Sequence, residues 1–208
     1  MDNQVKVNGQ DSGRQRLNIK DFMTIGVFFV INSFVGLIVA MLGVTPVTYV
    51  MISSMQGLVL GIPTMLFYSK VKKPGMLFIM ALISGLVSIL LGLGPYNLII
   101  GLVLSLIAEA LLWSGKYQSA RNSVLAYAVT SLAATATYIP LFFATRNFIE
   151  GSEIARKYGA AMAQGMADIG QQGYLYAIII AATFVSGLIG GFLGLRIFNK
   201  HFRRAKIV

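Results

Sequence analysis

The sequence predicts an all-α integral membrane protein: a six-transmembrane-helix bundle with N and C termini cytoplasmic and an external amphipathic helix between spans 5 and 6. Three observations lead there. Of 208 residues, 56% are hydrophobic and only 12% charged, about half the roughly 25% charged fraction of a soluble domain. The charges fall between long apolar runs instead of lining polar helix faces, so the solvent these runs expect is lipid. The basic residues, finally, are divided very unequally between alternate connections.

Six runs are long enough to cross a hydrocarbon core about 30 Å thick, which takes roughly 20 residues. They cover residues 22–42, 46–68, 76–93, 96–113, 123–145 and 174–198. The breaks between them carry turn residues: Gly43 and Pro46, then Lys72-Lys73-Pro74-Gly75, then Gly92, Gly94 and Pro95, then the stretch from Gly115 to Arg121. Pro63 and Pro140 interrupt the second and fifth spans and free backbone carbonyls there, as happens beside substrates in transporters and also in ordinary membrane helices. Residues 1–20 read as a mobile polar tail without the features of a signal peptide, residues 21–200 as the membrane domain, and residues 201–208 as a basic cytoplasmic tail.

Cytoplasmic connections hold the Lys and Arg excess of a membrane protein. One side carries fourteen: Lys6, Arg14, Arg16, Lys20, Lys70, Lys72, Lys73, Lys116, Arg121, Arg196, Lys200, Arg203, Arg204 and Lys206. The other carries three, Arg146, Arg156 and Lys157, in a connection that also holds Glu150, Glu153 and Asp168. Both ends are therefore expected inside, and the number of spans even. The same placement accounts for the net charge of +10 without a nucleic-acid partner.

The chain has no cysteine, which removes disulfides, thiolate nucleophiles and cysteine-based metal sites together. It has no phosphate-cradling Gly-rich loop ending in Lys-Ser/Thr, and its one histidine, His201, lies in the basic tail. No enzyme and no cofactor is expected from these residues.

Glu109 is the one acid well inside a span. It reads as a proton or cation site or, more simply, as a carboxylate that holds helices together. Among the uncharged polar residues at depth are Ser53, Ser54 and Thr183, of the kind that usually bonds the carbonyl one turn back. Asn32 and Gln56 cannot be satisfied so locally and carry more weight. Toward the outer face gather Tyr49, Tyr96, Asn97, Thr135, Thr137, Tyr138, Arg146, Asn147, Gln171, Gln172 and Tyr174. Two readings stand open for them: a pocket for a planar or amphipathic ligand, or the aromatic belt of any membrane helix. The candidate substrate-binding residues are Tyr49, Tyr96, Asn97, Thr135, Tyr138, Arg146, Gln172 and Tyr174.

Within residues 146–173, Ile154, Tyr158, Met162, Met166 and Ile169 recur on one face of an amphipathic helix. That helix rests on the bilayer surface or closes the mouth of the bundle. Gly187, Gly190, Gly191 and Gly194 in the sixth span allow close helix approach, as does Gly36 with Ala40 in the first. The approaching helix is another of the bundle or one of a partner.

Several stretches are similar to a known family. They are Lys20-Asp21 leading into Thr24-Ile25-Gly26-Val27-Phe28, Leu106-Ile107-Ala108-Glu109, Gly115-Lys116-Tyr117 through Arg121-Asn122, Ile139-Pro140-Leu141, and His201-Phe202-Arg203-Arg204. With the length and the six spans, they resemble the substrate-binding S components of energy-coupling factor (ECF) transporters, and within them the MptD / Trep_Strep group. The resemblance extends over most of residues 17–208. It implies a bacterial plasma-membrane protein, more specifically of a Gram-positive cell. Such a protein captures a vitamin-like or other scarce small nutrient outside and delivers it with a membrane coupling protein and two ATPase subunits. Many S components dock through an Ala-xxx-Ala pair on the first helix. The corresponding positions here read Gly26-xxx-Val30, which departs from that pattern and leaves Gly26, Val30 and Ser33 as the docking candidates. The rival reading is an independent small secondary transporter or channel using Glu109 for ion coupling.

Overall fold

The computed structural model describes residues 17–143, 159–197 and Lys200. Every regular element among them is helical. The polar tail up to residue 16, Arg146 and the rest of residues 144–158, and the basic tail from His201 onward lie outside the described residues.

Helix α1 spans Ile19–Ala40. Asn18 caps it: its side-chain oxygen faces the first turn, and its own N–H donates to Asp21 Oδ2 at 2.6 Å. Helices α2 (Pro46–Val59) and α3 (Gly61–Lys70) form one bent pair, turned by 42°. Pro63 causes the bend in part, because it offers no N–H to the Val59 carbonyl and its ring crowds that oxygen. Thr45 and Thr48 bond each other's backbone N–H at the start of α2, with Pro46 in the first turn, where a missing donor costs nothing. Then follow α4 (Met76–Leu90), α5 (Tyr96–Ser114) and α6 (Ala120–Ser131). The chain leaves α6 through a 3₁₀ segment, Leu132–Tyr138, into the short α7 (Ile139–Phe143). Pro140 accounts for that tightening: it cannot donate to the Ala136 carbonyl, and the N–H of Ile139 does so instead, one residue earlier. Helix α8 covers Ala160–Gly170 and α9 Tyr174–Ile197.

Four stretches are long and apolar enough to cross a membrane: α1, α5, α6 through α7, and α9; the bent α2–α3 pair makes a fifth. Helix α4 stops at Leu90 rather than reaching residue 93. Its 15 residues rise only about 22 Å at 1.5 Å each, short of the hydrocarbon thickness.

Helix α9 is the centre of the bundle and packs on α2, α3 and α6. Its glycine row explains how. A methyl group on Gly190 would collide with the Gly57 and Leu58 carbonyl oxygens, one on Gly194 with the Gly61 carbonyl, and one on Gly61 with the Gly190 carbonyl. On the other side Gly187 meets Ala128 and Ser131, and Gly191 meets Tyr127 and Val124 of α6. The small residues therefore serve packing within the bundle. At the bend, Tyr127 donates its hydroxyl to the Gly57 carbonyl at 2.8 Å, satisfying an acceptor that the broken ladder exposes.

Two cores flank this glycine seam. At the end that carries the basic connections, Ile25, Phe28, Met65, Phe67, Met76, Leu77 and Leu112 pack with Tyr68 and Tyr127. At the opposite end, Val50, Tyr138, Leu141 and Ile179 pack with Met162, Met166 and Ala167 of α8.

Candidate binding site

Helix α8 is too short to span. It packs at the end of the bundle opposite the basic connections, in contact with α2 and α7. Met162, Ala163, Met166, Ala167 and Gly170 form its buried face, so two of the expected apolar positions, Met162 and Met166, turn inward and Ile169 is half-buried. Ile154 and Tyr158 lie outside the described residues. Close approach is built in: side chains on Gly165 and Gly170 would run into Pro46 and into the Leu141 carbonyl.

Tyr138 stands at the centre of the layer beneath, 4% exposed. Its hydroxyl donates to the Tyr49 carbonyl at 2.9 Å and accepts from the Ser53 N–H at 3.3 Å. It thus enters the hydrogen-bond ladder of α2 at one turn. The Tyr49 and Tyr138 rings meet edge to face, centroids 5.8 Å apart. Tyr176 lies against Phe142 and Phe143 and donates to the Thr135 carbonyl at 3.4 Å. One turn deeper sit three hydroxyls from two helices: Ser53 Oγ and Ser54 Oγ of α2 lie 2.9 and 3.2 Å from Thr183 Oγ1 of α9.

Of the candidate substrate residues, the structure brings Tyr49, Thr135 and Tyr138 together in this layer. Asn97 pairs instead with Thr137 in a reciprocal amide–hydroxyl contact, at 2.9 and 3.2 Å, that ties α5 to the 3₁₀ segment. Tyr96 is exposed near the turn at Gly94. Gln172 and Tyr174 are exposed and bond one another at 2.7 Å. Arg146 lies outside the described residues.

The interior polar residues act as ties between helices. Gln56 Nε2 donates to the Gly36 carbonyl at 3.0 Å, joining α2 to α1. Asn32 corrects the expectation that it cannot be satisfied locally, because its Nδ2 bonds the Phe28 carbonyl one turn back at 2.8 Å. Its amide N–H reaches back along its own helix as a serine hydroxyl does, and only the Asn32 oxygen reaches out, accepting from Thr64 at 3.2 Å. Glu109 is half-buried and engaged on both oxygens. Oε1 accepts from the Gly75 N–H at 3.0 Å and the Tyr117 hydroxyl at 2.7 Å; Oε2 accepts from the Leu77 N–H at 3.0 Å. The carboxylate therefore caps the N-terminus of α4, where the helix dipole favours negative charge. The loop that delivers Tyr117 is strained, with Lys116 and Tyr117 both left-handed at φ 50 and 56°. Burial, and then the bond to Glu109, push the Tyr117 hydroxyl pKa above its ordinary value.

On α1, Gly26 has open space where a side chain would stand, Val30 is 63% exposed, and Ser33 is exposed. Sequence reasoning placed Ser53, Ser54 and Thr183 at depth but expected them to bond their own helices; only the crossing of α2 and α9 makes them a cluster. The roles of Tyr117, Tyr127 and Tyr176 had no signal in spacing or composition.

Residues 19–204 match the model of a family described as a hypothetical bacterial integral membrane protein, Trep_Strep. The chain belongs to the Trep_Strep family. No curated protein and no solved structure matches it. Membership, with several long apolar helices, makes this Trep_Strep protein a multi-pass integral membrane protein. The layer beneath α8 presents aromatic rings, thioethers and hydroxyls. Among the described residues no three His, Asp or Glu side chains come together as a metal site would need.

Proposed function

We propose that the chain is the substrate-capture component of an ECF-type importer in the bacterial cell membrane. It crosses the bilayer six times, with both ends inside and α8 outside. It takes up a scarce small nutrient beneath α8 and hands it inward with a membrane coupling protein and two ATPase subunits. The observation that carries the reading is α8 itself, a non-spanning helix seated on Tyr138, Leu141 and Val50 above a layer of hydroxyls. The fourteen-to-three division of basic residues supports the orientation. Helix α4 crosses as the short sixth span, by local thinning of the bilayer around it. The open face at Gly26, Val30 and Ser33 suits a docking helix.

The test is to purify the tagged full chain from its native membrane in mild detergent. Two ATPases and a coupling protein should accompany it, and leucine at Gly26 should weaken their recovery. A solitary chain after crosslinking, with its fold intact, would overturn the reading.

The rival, ion coupling through Glu109, has one residue in its favour, a carboxylate inside an apolar helix. Its two oxygens are already committed to three donors, which suits a tether better than an ion site. Proton-coupled uptake that is lost in E109Q, with α4 still folded, would favour the rival.

A further inference from the structure

Resting on the reading of the chain as a capture protein, we propose that its ligand is an uncharged, ring-bearing molecule with a hydrogen-bond acceptor. It takes the place that Met162 and Met166 now fill, and points its acceptor at the Ser53–Ser54–Thr183 hydroxyls.

The walls set the class. Between α8 and the glycine seam, α2 and α9 present two successive layers. The upper one is Val50, Tyr138 and Ile179 with Met162 and Met166; the lower one, a single turn deeper on each helix, is Ser53, Ser54 and Thr183. Below that the shaft between α2 and α9 narrows, because a methyl group on Gly57 would press on the Thr183 carbonyl and the Gly187 backbone. No side chain named in either layer is charged. A carboxylate or ammonium brought there would lose its hydration and meet no opposite charge among the side chains named in these two layers, which disfavours a charged ligand. An uncharged ring loses little and gains contact with Tyr138 and the aliphatic walls.

The hydroxyls supply direction. Three hydroxyl protons are present, and the cluster makes two hydrogen bonds, so one proton has no acceptor within it. Ser53 and Thr183 are 1% and 0% exposed and Ser54 is half-buried, and a donor left unshared among them is costly. A ligand carbonyl, ring nitrogen or ether oxygen would accept it. The buried face of α8 meets the bundle through apolar contacts, and its two central residues are methionines, whose unbranched side chains refill space readily.

The chain's lack of cysteine allows a direct test. S54C, in the otherwise unchanged full chain in detergent micelles, is reacted with N-ethylmaleimide in the presence of 2-naphthamide or of its anionic counterpart 2-naphthoate. T183C repeats the measurement from α9, and Q172C, exposed outside the shaft, is the control. We expect 2-naphthamide near ten times its dissociation constant to slow labelling of S54C and T183C about tenfold. 2-Naphthoate should change neither, and Q172C should respond to neither compound. Equal protection by 2-naphthoate would overturn the ligand class while leaving a seat beneath α8. Absence of protection by both, or cysteines that never react, would overturn the seat itself. Recovery of the ATPase subunits is read separately, so failure here and failure of the importer reading are distinguishable.

Discussion

The two ends of the bundle are fastened by different chemistry. At the basic end two ties are charge-assisted: Glu109 caps α4 and holds Tyr117, and Lys73 reaches Asp21 at 2.6 Å. Asn122 adds neutral bonds to the Leu111 carbonyl and Ser114 that fix the α5–α6 connection. Among the described residues at the opposite end, apolar contacts and neutral hydrogen bonds stand out: Met162 and Met166 on Val50 and Ile179, Tyr138 on α2, Asn97 on Thr137. Charged bonds to backbone amides are short, directional and hard to replace. Dispersion contacts and hydroxyl pairs re-form in many arrangements. The difference bears on the proposed capture role: charge-assisted ties suit the end that keeps the helices in register, and the α8 end is the one that role would have open.

The comparison can be broken most forcefully at the fixed end. E109A strands two backbone donors and the Tyr117 hydroxyl; at about 1–3 kcal/mol for a stranded buried donor, it should cost the largest part of the stability. Thermal unfolding in detergent measures it, and a melting temperature within a degree or two of the parent would refute the tether. G190A comes next, since a methyl there meets the Gly57 and Leu58 carbonyls. Overpacking of this kind typically costs about 1–3 kcal/mol, with the loss read as a lower yield of monomeric protein. Y138F should cost less, about 1 kcal/mol for a neutral hydrogen bond. Amide exchange should quicken at Ser53 and in α8 and stay unchanged at Leu77.

The smallest effect concerns pH. The Tyr117 hydroxyl titrates higher in the folded protein than its ordinary 10.0, so folding favours its protonated form. That contribution is complete below pH 10 and is lost as the pH rises through the raised value. Y117F should flatten the alkaline fall in stability; an unchanged alkaline limb would place the fall elsewhere.

Much of the architecture was legible in the residues. Apolar runs, punctuated by Pro and Gly, located helices that begin at Pro46, Met76, Tyr96 and Tyr174, because lipid demands continuous apolar length and turns demand those breakers. The face of α8 was legible through Met162 and Met166. Its other half, Ala163, Ala167 and Gly170, carries little hydrophobic signal and matters because it lets backbones approach. The site was less legible. Sequence placed Tyr49, Thr135 and Tyr138 at one end, but gave no means of separating them from Tyr96 and Tyr174, which stand in the same band of the chain and face outward. Ser53 and Thr183 are 130 residues apart, and their meeting depends on the crossing of two helices, which no local pattern encodes.

The central place of α9 also bears on how the protein is made. Every helix described here leaves the ribosome before Tyr174–Ile197, and yet that segment supplies the backbone surface on which α2, α3 and α6 close. Until it enters the bilayer, the glycine face at Gly57 and Gly61 lacks the α9 backbone that closes on it, and the bend keeps only the Tyr127 hydroxyl at Gly57. Biogenesis must therefore hold an unfinished bundle open for its last member. A nascent chain halted before Tyr174 should be threaded but not yet assembled, and should be cut by membrane proteases that spare the completed protein.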